Sequence, residues 1–413
     1  MRTNAILRAA LVSSAALCLS LGMSAAVLAQ DVGVDVGGGG IFRAKNPETK
    51  KSGNKPAATG TKPGNRPAGT ARPRPNVAER VEELLDKGNE ARDARNFVQA
   101  EDSYKEVLKI KPRDSRAAYG LGNVYSDQQR WEDAEAAYRN SVAWAPKDAD
   151  AYVALSVVLV QPRPDSDNAK RFADAEMAAR RSVQLNPKNA VGWDRLGVAL
   201  QARGLTNSET EHSYRRAIEL DPQFAVAYAH LARVLNRTGR PGEAAPLYQK
   251  AFELAKDPAT LNLIADSLQS EQLWSQAEPV LRRALELDSK NPTSLLLMGR
   301  YFIVNRKYQE AEPYLKSATE VSSRAFQPFN LLGRAYLGMD RFGDAEATYE
   351  RASAFAATGE RKQLAGIFGF EGVGDGYLKS NQKDKAVRAY QRALELDPAN
   401  SGAAQKLAKA RAN

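Results

Sequence analysis

Hydrophobic residues recur along most of the chain at the spacing of amphipathic helices. In residues 115–148, Leu121 and Tyr125 lie four residues apart and share one helical face, and Ala134 and Tyr138 form a second such pair. Pro146 follows and ends the second run, because proline cannot continue a helix. The pattern predicts two helices joined by a short turn. One helix pair cannot bury its apolar face alone, so such units must stack.

The same unit recurs nine times. Small residues hold two positions where the paired helices must approach closely, as Gly122 and Ala134 do in residues 115–148. Alanine holds the second of these positions in eight of the nine units, and Thr210 replaces it in the fourth. Insertions are predicted near Gln161 and Thr358. The units span residues 81–114, 115–148, 149–189, 190–224, 225–257, 258–291, 292–325, 326–357 and 367–400.

The order Leu-Gly-x2-Tyr, then Ala-x3-aromatic, then Pro resembles the tetratricopeptide repeat, a helix–turn–helix of about 34 residues. The resemblance covers residues 76–400. It implies an all-α fold, a right-handed α-solenoid of antiparallel helix pairs. Asn76, followed by Glu79, predicts a capping box at the first helix. Residues 401–413 are predicted to form a polar helix that closes the stack.

The residues before Asn76 predict export. Arg2 and Arg8 precede an Ala/Leu/Ser-rich run that ends at Ala29, which is typical of a signal peptide over residues 1–29. An uncleaved membrane anchor is the alternative. Residues 30–75 are rich in Gly, Pro and Lys and poor in large apolar residues, which predicts a disordered basic linker. It is predicted to act as a spacer or to contact an anionic surface weakly.

Composition argues against several classes of function. Most of the net charge of +10 lies in the leader and the linker, so the charge does not indicate a nucleic-acid-binding domain. The chain has two histidines, in different units, and one cysteine, Cys18, inside the leader. That inventory predicts no metal site and no cofactor. The glycine-rich stretch 369–374 lacks the Lys-Ser/Thr of a phosphate loop, and we predict no catalytic residues and no enzyme.

The resemblance implies that the second, fifth, ninth and twelfth positions of each unit face a concave groove. Arginine suits carboxylates, because its planar fork forms paired hydrogen bonds, so we expect an extended or acidic partner segment there. The alternative is a solvated groove in which arginines pair locally, for example with Asp266. The candidate groove residues are Tyr119, Asn123, Arg233, Asn262, Arg300, Asn330 and Arg334.

The sequence therefore predicts a non-enzymatic scaffold that binds other proteins, or extended peptide segments of them, in this groove. The leader favours the periplasm or cell envelope of a bacterium, without integration into the membrane once the leader is cleaved. No nucleic-acid partner is expected. The alternative function is a carrier or regulatory module that binds a small ligand or glycan in the groove, in the export of envelope polysaccharide.

Overall fold

The computed structural model describes residues 44–50, 76–163, 166–356 and 369–412. Within these ranges the chain forms nineteen α-helices and no strand, so the all-α prediction is confirmed. The helices fall into two compact units that meet in sequence between Pro222 and Gln223. Neither unit contains a described helix that is long and apolar enough to cross a membrane.

The N-terminal unit contains four helix pairs. Consecutive helices pack as antiparallel partners because the turns between them are short, and each pair stacks on the next. The first helices of neighbouring repeats also touch, α1 with α3 and α5 with α7. The helices are α1 Val77–Asp93, α2 Phe97–Ile110, α3 Ser115–Asp127, α4 Trp131–Trp144, α5 Ala149–Leu159, α6 Asn168–Leu185, α7 Ala190–Ala202 and α8 Ser208–Leu220.

The C-terminal unit repeats the same arrangement and ends in the predicted closing helix, α19, which packs on α18. Its helices are α9 Ala225–Arg237, α10 Pro241–Leu254, α11 Pro258–Ser270, α12 Trp274–Leu287, α13 Pro292–Val304, α14 Tyr308–Val321, α15 Phe326–Gly338, α16 Phe342–Ala354, α17 Glu371–Lys379, α18 Lys383–Leu396 and α19 Ser401–Ala412. Stacked antiparallel pairs of this kind are the architecture of an α-solenoid.

The close approach of paired helices has a specific cause. A Cβ added to Gly122 on α3 would lie 2.5 Å from the Tyr138 ring of α4, so only glycine leaves room for that tyrosine. Tyr138 is 1% exposed, and Ala134, one turn earlier on the same helix, is fully buried. Gly374 and Tyr390 repeat the contact in α17 and α18, also at 2.5 Å. The small residues predicted from the sequence therefore leave space for large side chains of the partner helix.

In eight of the nine described helix pairs, the turn has one left-handed residue at a fixed repeat position, the fifteenth. In the first two repeats Arg95 and Gln129 hold it, with φ of 57° and 58°. The backbone amide of the residue after the left-handed one then bonds back to a helix carbonyl, as Arg130 N does to Tyr125 O at 2.8 Å. The other described residues in this conformation are Gly204, Gly239, Gln272, Arg306, Asp340 and Asn381.

The predicted capping chemistry is present at the start of α1, and several other helices begin with a side-chain cap. Asn76 and Glu79 form the capping box predicted for α1, with the Glu79 amide donating to Asn76 Oδ1 at 2.9 Å. Asp114 caps α3 by accepting from the amides of Arg116 and Ala117. Two predicted segments, the leader over 1–29 and the insertion Thr358–Gly366, lie outside the described residues.

The structure differs from the predicted linker over residues 44–50. Here the chain has no regular secondary structure, yet it packs against α1 and α3, and Ala44 is only 5% exposed. A segment of seven residues, five of them polar, cannot build a core of its own, but it needs none when a surface donates hydrogen bonds to its backbone carbonyls. The rest of the predicted linker lies outside the described residues.

Candidate partner-binding groove

Two asparagines on neighbouring first helices point their amide groups at the segment formed by residues 44–50. Asn89 lies on α1 and Asn123 on α3, at the same position of consecutive repeats. Each accepts a hydrogen bond on Oδ1 from a core tyrosine of its own repeat: Tyr104 Oη to Asn89 at 2.7 Å, and Tyr138 Oη to Asn123 at 2.8 Å. A tyrosine hydroxyl that donates to Oδ1 leaves Nδ2 to donate outward.

Both outward donors bind main-chain carbonyls of the segment. Asn89 Nδ2 donates to the Pro47 carbonyl at 3.0 Å, and Asn123 Nδ2 donates to the Lys45 carbonyl at 2.8 Å. The two carbonyls are two residues apart, as the same edge of an extended chain presents them. Asn123 is fully buried beneath this contact. We call the surface of α1 and α3 that contacts residues 44–50 the N-terminal groove.

Arg92 joins both helices to the segment. Its Nε and Nη2 form a paired contact with the Asp127 carboxylate at 2.8 and 3.1 Å, which links α1 to α3. Its Nη1 donates to the Ala44 carbonyl at 2.7 Å and to Asn46 Oδ1 at 3.0 Å. Arg92 is 1% exposed, so its charge is neutralised and its donors are used within this contact.

The segment runs antiparallel to α1. Asn46 Nδ2 donates to Asp93 Oδ2 at 2.9 Å near the end of that helix, whereas the Lys50 amide donates to Glu82 Oε2 at 2.8 Å near its start. Those helix positions are about 16 Å apart along the axis, and four extended residues span about 13 Å. The long Glu82 and Asp93 side chains cover the difference, so the segment is extended.

The side chains of the segment divide between the groove and solvent. Ala44 and Pro47 are buried, Asn46 is half-buried, and Lys45 and Glu48 are exposed. Pro47 suits its place because its missing amide leaves no buried donor unpaired. The groove therefore holds a small residue, an asparagine and a proline, and the residue between the first two is exposed.

An ion-pair cluster borders the far end of the segment. Arg116 on α3 makes a paired contact with Glu82 on α1, both distances 2.9 Å, and its Nη1 also donates to the Glu48 carbonyl at 3.3 Å. Burial alone would raise the pKa of Glu82, but hydrogen bonds from Arg116 and the Lys50 amide outweigh it, so this pKa lies below its usual range. Glu82 therefore stays ionised and keeps its contacts at neutral pH.

The predicted groove residues divide between the two units. Tyr119 and Asn123 lie on α3, where Asn123 binds the segment and the Tyr119 ring lies 5.8 Å from that of Tyr138. The other five are on helices of the C-terminal unit. There Arg300 donates to Asp266 and Gln269, both at 2.6 Å, and is 5% exposed. For Arg300 the structure thus shows the local pair of the alternative interpretation.

Asn262 is also engaged within its unit. Its Nδ2 donates to Asn291 Oδ1 at 3.0 Å, and its Oδ1 accepts from Ser294 Oγ at 2.8 Å. Asn330 is 4% exposed, and within the described chain its Oδ1 accepts no hydrogen bond. Arg233 is buried and Arg334 half-buried. Of the seven predicted residues, Asn123 is the one that the described structure shows hydrogen-bonded to residues 44–50.

Sequence reasoning did not single out most of the groove. Asn89 and Arg92 occupy groove-facing repeat positions, and the recurrence of asparagine at the ninth position in consecutive repeats was the available signal. Glu82 and Arg116 hold the second, also groove-facing, position, but their pairing was missed, as was Asp127 at the thirteenth position, because ion pairs between repeats leave no pattern within one repeat. No three His, Cys, Asp or Glu side chains cluster as metal ligands in the part of the chain that the structure describes.

Comparison with known proteins identifies the repeat. Four family models, each described as tetratricopeptide repeat, match residues 91–157, 213–245, 262–328 and 369–400. No curated protein matches the chain.

Solved structures give many matches, three of which are typical. MamA from Desulfovibrio magneticus RS-1 is 17% identical, with 43% of this chain and 96% of that chain covered and a TM-score of 0.38. The Cut9–Hcn1 hetero-tetramer of APC/C is 13% identical, with 80% and 96% covered and a TM-score of 0.39. YrrB, titled a TPR protein with an unusual peptide-binding site, is 18% identical, with 47% and 97% covered and a TM-score of 0.38. On its recurring helix pairs and the four family matches, the chain is a tetratricopeptide repeat protein.

Proposed function

We propose that the protein is a scaffold that binds extended segments of partner proteins in the groove formed by its first helices. The observation that carries this proposal is the seating of residues 44–50 on α1 and α3. Asn89 and Asn123, each oriented by a core tyrosine, donate to carbonyls two residues apart. Such a surface is preorganised, because the donors are fixed before a segment arrives.

Recognition of this kind depends on two features of a partner segment, its extended backbone and its side chains. Backbone carbonyls are common to every peptide, so the asparagine contacts select an extended conformation without selecting a sequence. Sequence preference comes from the buried places of Ala44 and Pro47 and from the contacts of Asn46 with Arg92 and Asp93. We expect specific partners to carry a small residue and an Asn-Pro pair in unstructured chain.

The place of action that we propose is the periplasm or cell envelope. The support is the leader, in which Arg2 and Arg8 precede a weakly apolar run that ends at Ala29. Retention of an uncleaved leader as an inner-membrane anchor is the alternative. In either case the repeats are proposed to act as an assembly surface, and the basic residues before Asn76 as a spacer with weak affinity for anionic surfaces.

The test uses an open-groove variant of the full chain, in which residues 44–50 are replaced by Gly and Ser. A display library of random linear peptides is panned on this variant, on the same variant with Asn89→Ala and Asn123→Ala, and on a control carrying Asn262→Ala instead. Asn262 is a suitable control because its amide is engaged inside the C-terminal unit.

We expect peptides to be enriched on the open-groove variant and on the Asn262 control, and to be lost when both groove asparagines are replaced. Loss of two main-chain hydrogen bonds of about 1 kcal/mol each predicts a roughly 30-fold weaker interaction. Enrichment that survives both substitutions, or no enrichment on any variant, contradicts the proposal. Recovery of a glycan from envelope extract on the open-groove variant would support the carrier function instead.

A further inference from the structure

The segment in the N-terminal groove belongs to the protein itself. Residues 44–50 are joined to α1 through residues 51–75, so the groove holds a ligand that is present at one copy per chain. Every main-chain contact that the groove makes with this segment is one that a partner segment would need. The carbonyls of Lys45 and Pro47 accept hydrogen bonds from the two asparagine side chains. The carbonyl of Ala44 accepts one from Arg92 Nη1.

We propose that residues 44–50 are a resident pseudo-ligand that keeps the N-terminal groove closed until a partner segment of matching pattern displaces it. The inference rests on the proposed function, because it assumes that the groove binds segments from other proteins. It adds that the protein's own chain occupies the groove, so that a partner must compete with Ala44-Lys45-Asn46-Pro47, a small residue, any residue, then Asn-Pro.

The pattern follows from what surrounds each residue. Ala44 is 5% exposed, and its carbonyl accepts from the buried guanidinium of Arg92, so a larger side chain there would separate the two. Asn46 uses both ends of its amide, accepting from Arg92 and donating to Asp93, which aspartate or leucine cannot do. Lys45 and Glu48 are exposed and carry no specificity.

The contacts of residues 44–50 with the groove allow a partner segment to displace them. The segment buries few apolar groups, and its contacts are mainly hydrogen bonds, which are individually weak because water competes for both partners. Its advantage over a free peptide comes from the tether, which gives an effective concentration on the order of a millimolar. A partner that presents the same pattern with further contacts overcomes that advantage, whereas a chance segment at low concentration does not.

The experiment measures binding of a fluorescent peptide with the sequence of residues 42–52 to three full-length chains. These are the unmodified chain, the open-groove variant, and a control with Lys45→Ser and Glu48→Ser. The control changes only exposed side chains and keeps every described backbone contact of the segment. Anisotropy titrations give the three values of Kd, and mass measurement across a dilution series gives the oligomeric state.

We expect the open-groove variant to bind the peptide about 10-fold more tightly than the unmodified chain, and the control to bind like the unmodified chain. Equal affinity for all three chains would overturn the inference and leave the proposed function standing. No binding to the open-groove variant would also overturn it, and the panning experiment then decides the proposed function separately. Self-association that the Gly/Ser replacement abolishes would show that the segment binds a second copy, which contradicts the resident role.

Discussion

Asn123 shows how a core hydrogen bond determines what a groove side chain offers to a partner. The Tyr138 hydroxyl donates to its Oδ1 at 2.8 Å, which orients Nδ2 toward the Lys45 carbonyl. Asn89 and Tyr104 form the same arrangement one repeat earlier. An asparagine without such a partner could rotate its amide by half a turn and present an acceptor to the carbonyl instead.

Replacing Tyr138 with phenylalanine tests this dependence. We expect Tyr138→Phe to lower the free energy of unfolding by about 1 to 2 kcal/mol, because Asn123 Oδ1 stays buried without its donor. Tyr349→Phe is the matched control: its hydroxyl is buried and has no hydrogen-bond partner in the described chain, so its removal is neutral or stabilising. Urea unfolding midpoints of both variants measure the difference. Equal losses in the two variants would contradict the account of Tyr138.

Asp114 gives a prediction for how the stability of the protein depends on pH. Burial would raise its pKa, but hydrogen bonds from Arg116, Lys111 and the Ala117 amide outweigh this, so the pKa lies below its usual value. A lowered folded-state pKa means that the stabilisation is complete above the ordinary value of 3.8 and is lost as the pH falls through the folded value. We expect stability to fall below about pH 4 for this reason.

Asp114→Asn isolates that effect, because asparagine caps a helix as well as aspartate but does not titrate in this range. The variant is expected to be about 1 kcal/mol less stable at neutral pH and to lose less stability on acidification. Thermal melts between about pH 3 and pH 7 give the dependence of Tm on pH for the variant and for the unmodified chain. A variant with the same pH slope as the unmodified chain would show that other carboxylates account for the acid sensitivity.

The helix pair is the element that the sequence predicts best. The helices are predicted by periodic apolar residues, by small residues such as Gly122, and by prolines after the second helix. Each of these signals lies within one repeat. The left-handed turn residue is not predictable in the same way. Glycine holds it in only two of the eight described turns, and residues such as Arg95, Gln129 and Arg306 hold the other six, because the turn is imposed by the packing of two helices.

Substitutions at two glycines three residues apart distinguish the effect of backbone conformation on stability from the effect of packing. A Cβ at either Gly239 or Gly242 would meet no atom within 4 Å, but only Gly239 has a positive φ, of 79°. We expect Gly239→Ala to destabilise the protein by about 1 kcal/mol. Gly242→Ala, near the start of α10, is expected to be neutral or stabilising by a few tenths of a kcal/mol. Chemical unfolding of both variants provides the comparison, and a smaller loss at Gly239 than at Gly242 would contradict the turn assignment.

At the scale of the whole molecule, the ligand of the N-terminal groove comes from outside the repeats. Composition predicted that residues 30–75 would be disordered, since they lack the apolar surface to offset chain entropy. That reasoning treats a segment alone. It could not foresee that Asn89, Asn123 and Arg92 would bind its carbonyls, because these contacts join residues more than forty positions apart.

The central claim is that asparagines of neighbouring repeats hold an extended segment by its backbone, and limited proteolysis tests it most directly. Trypsin cleavage after Lys45 is timed in the unmodified full-length chain, in Asn89→Ala with Asn123→Ala, and in the Asn262→Ala control. We predict that cleavage is at least about 10-fold faster when both groove asparagines are replaced, because the segment must leave the groove before a protease can bind it. The Asn262 control should be cleaved at the rate of the unmodified chain. Identical rates in all three chains would contradict the account.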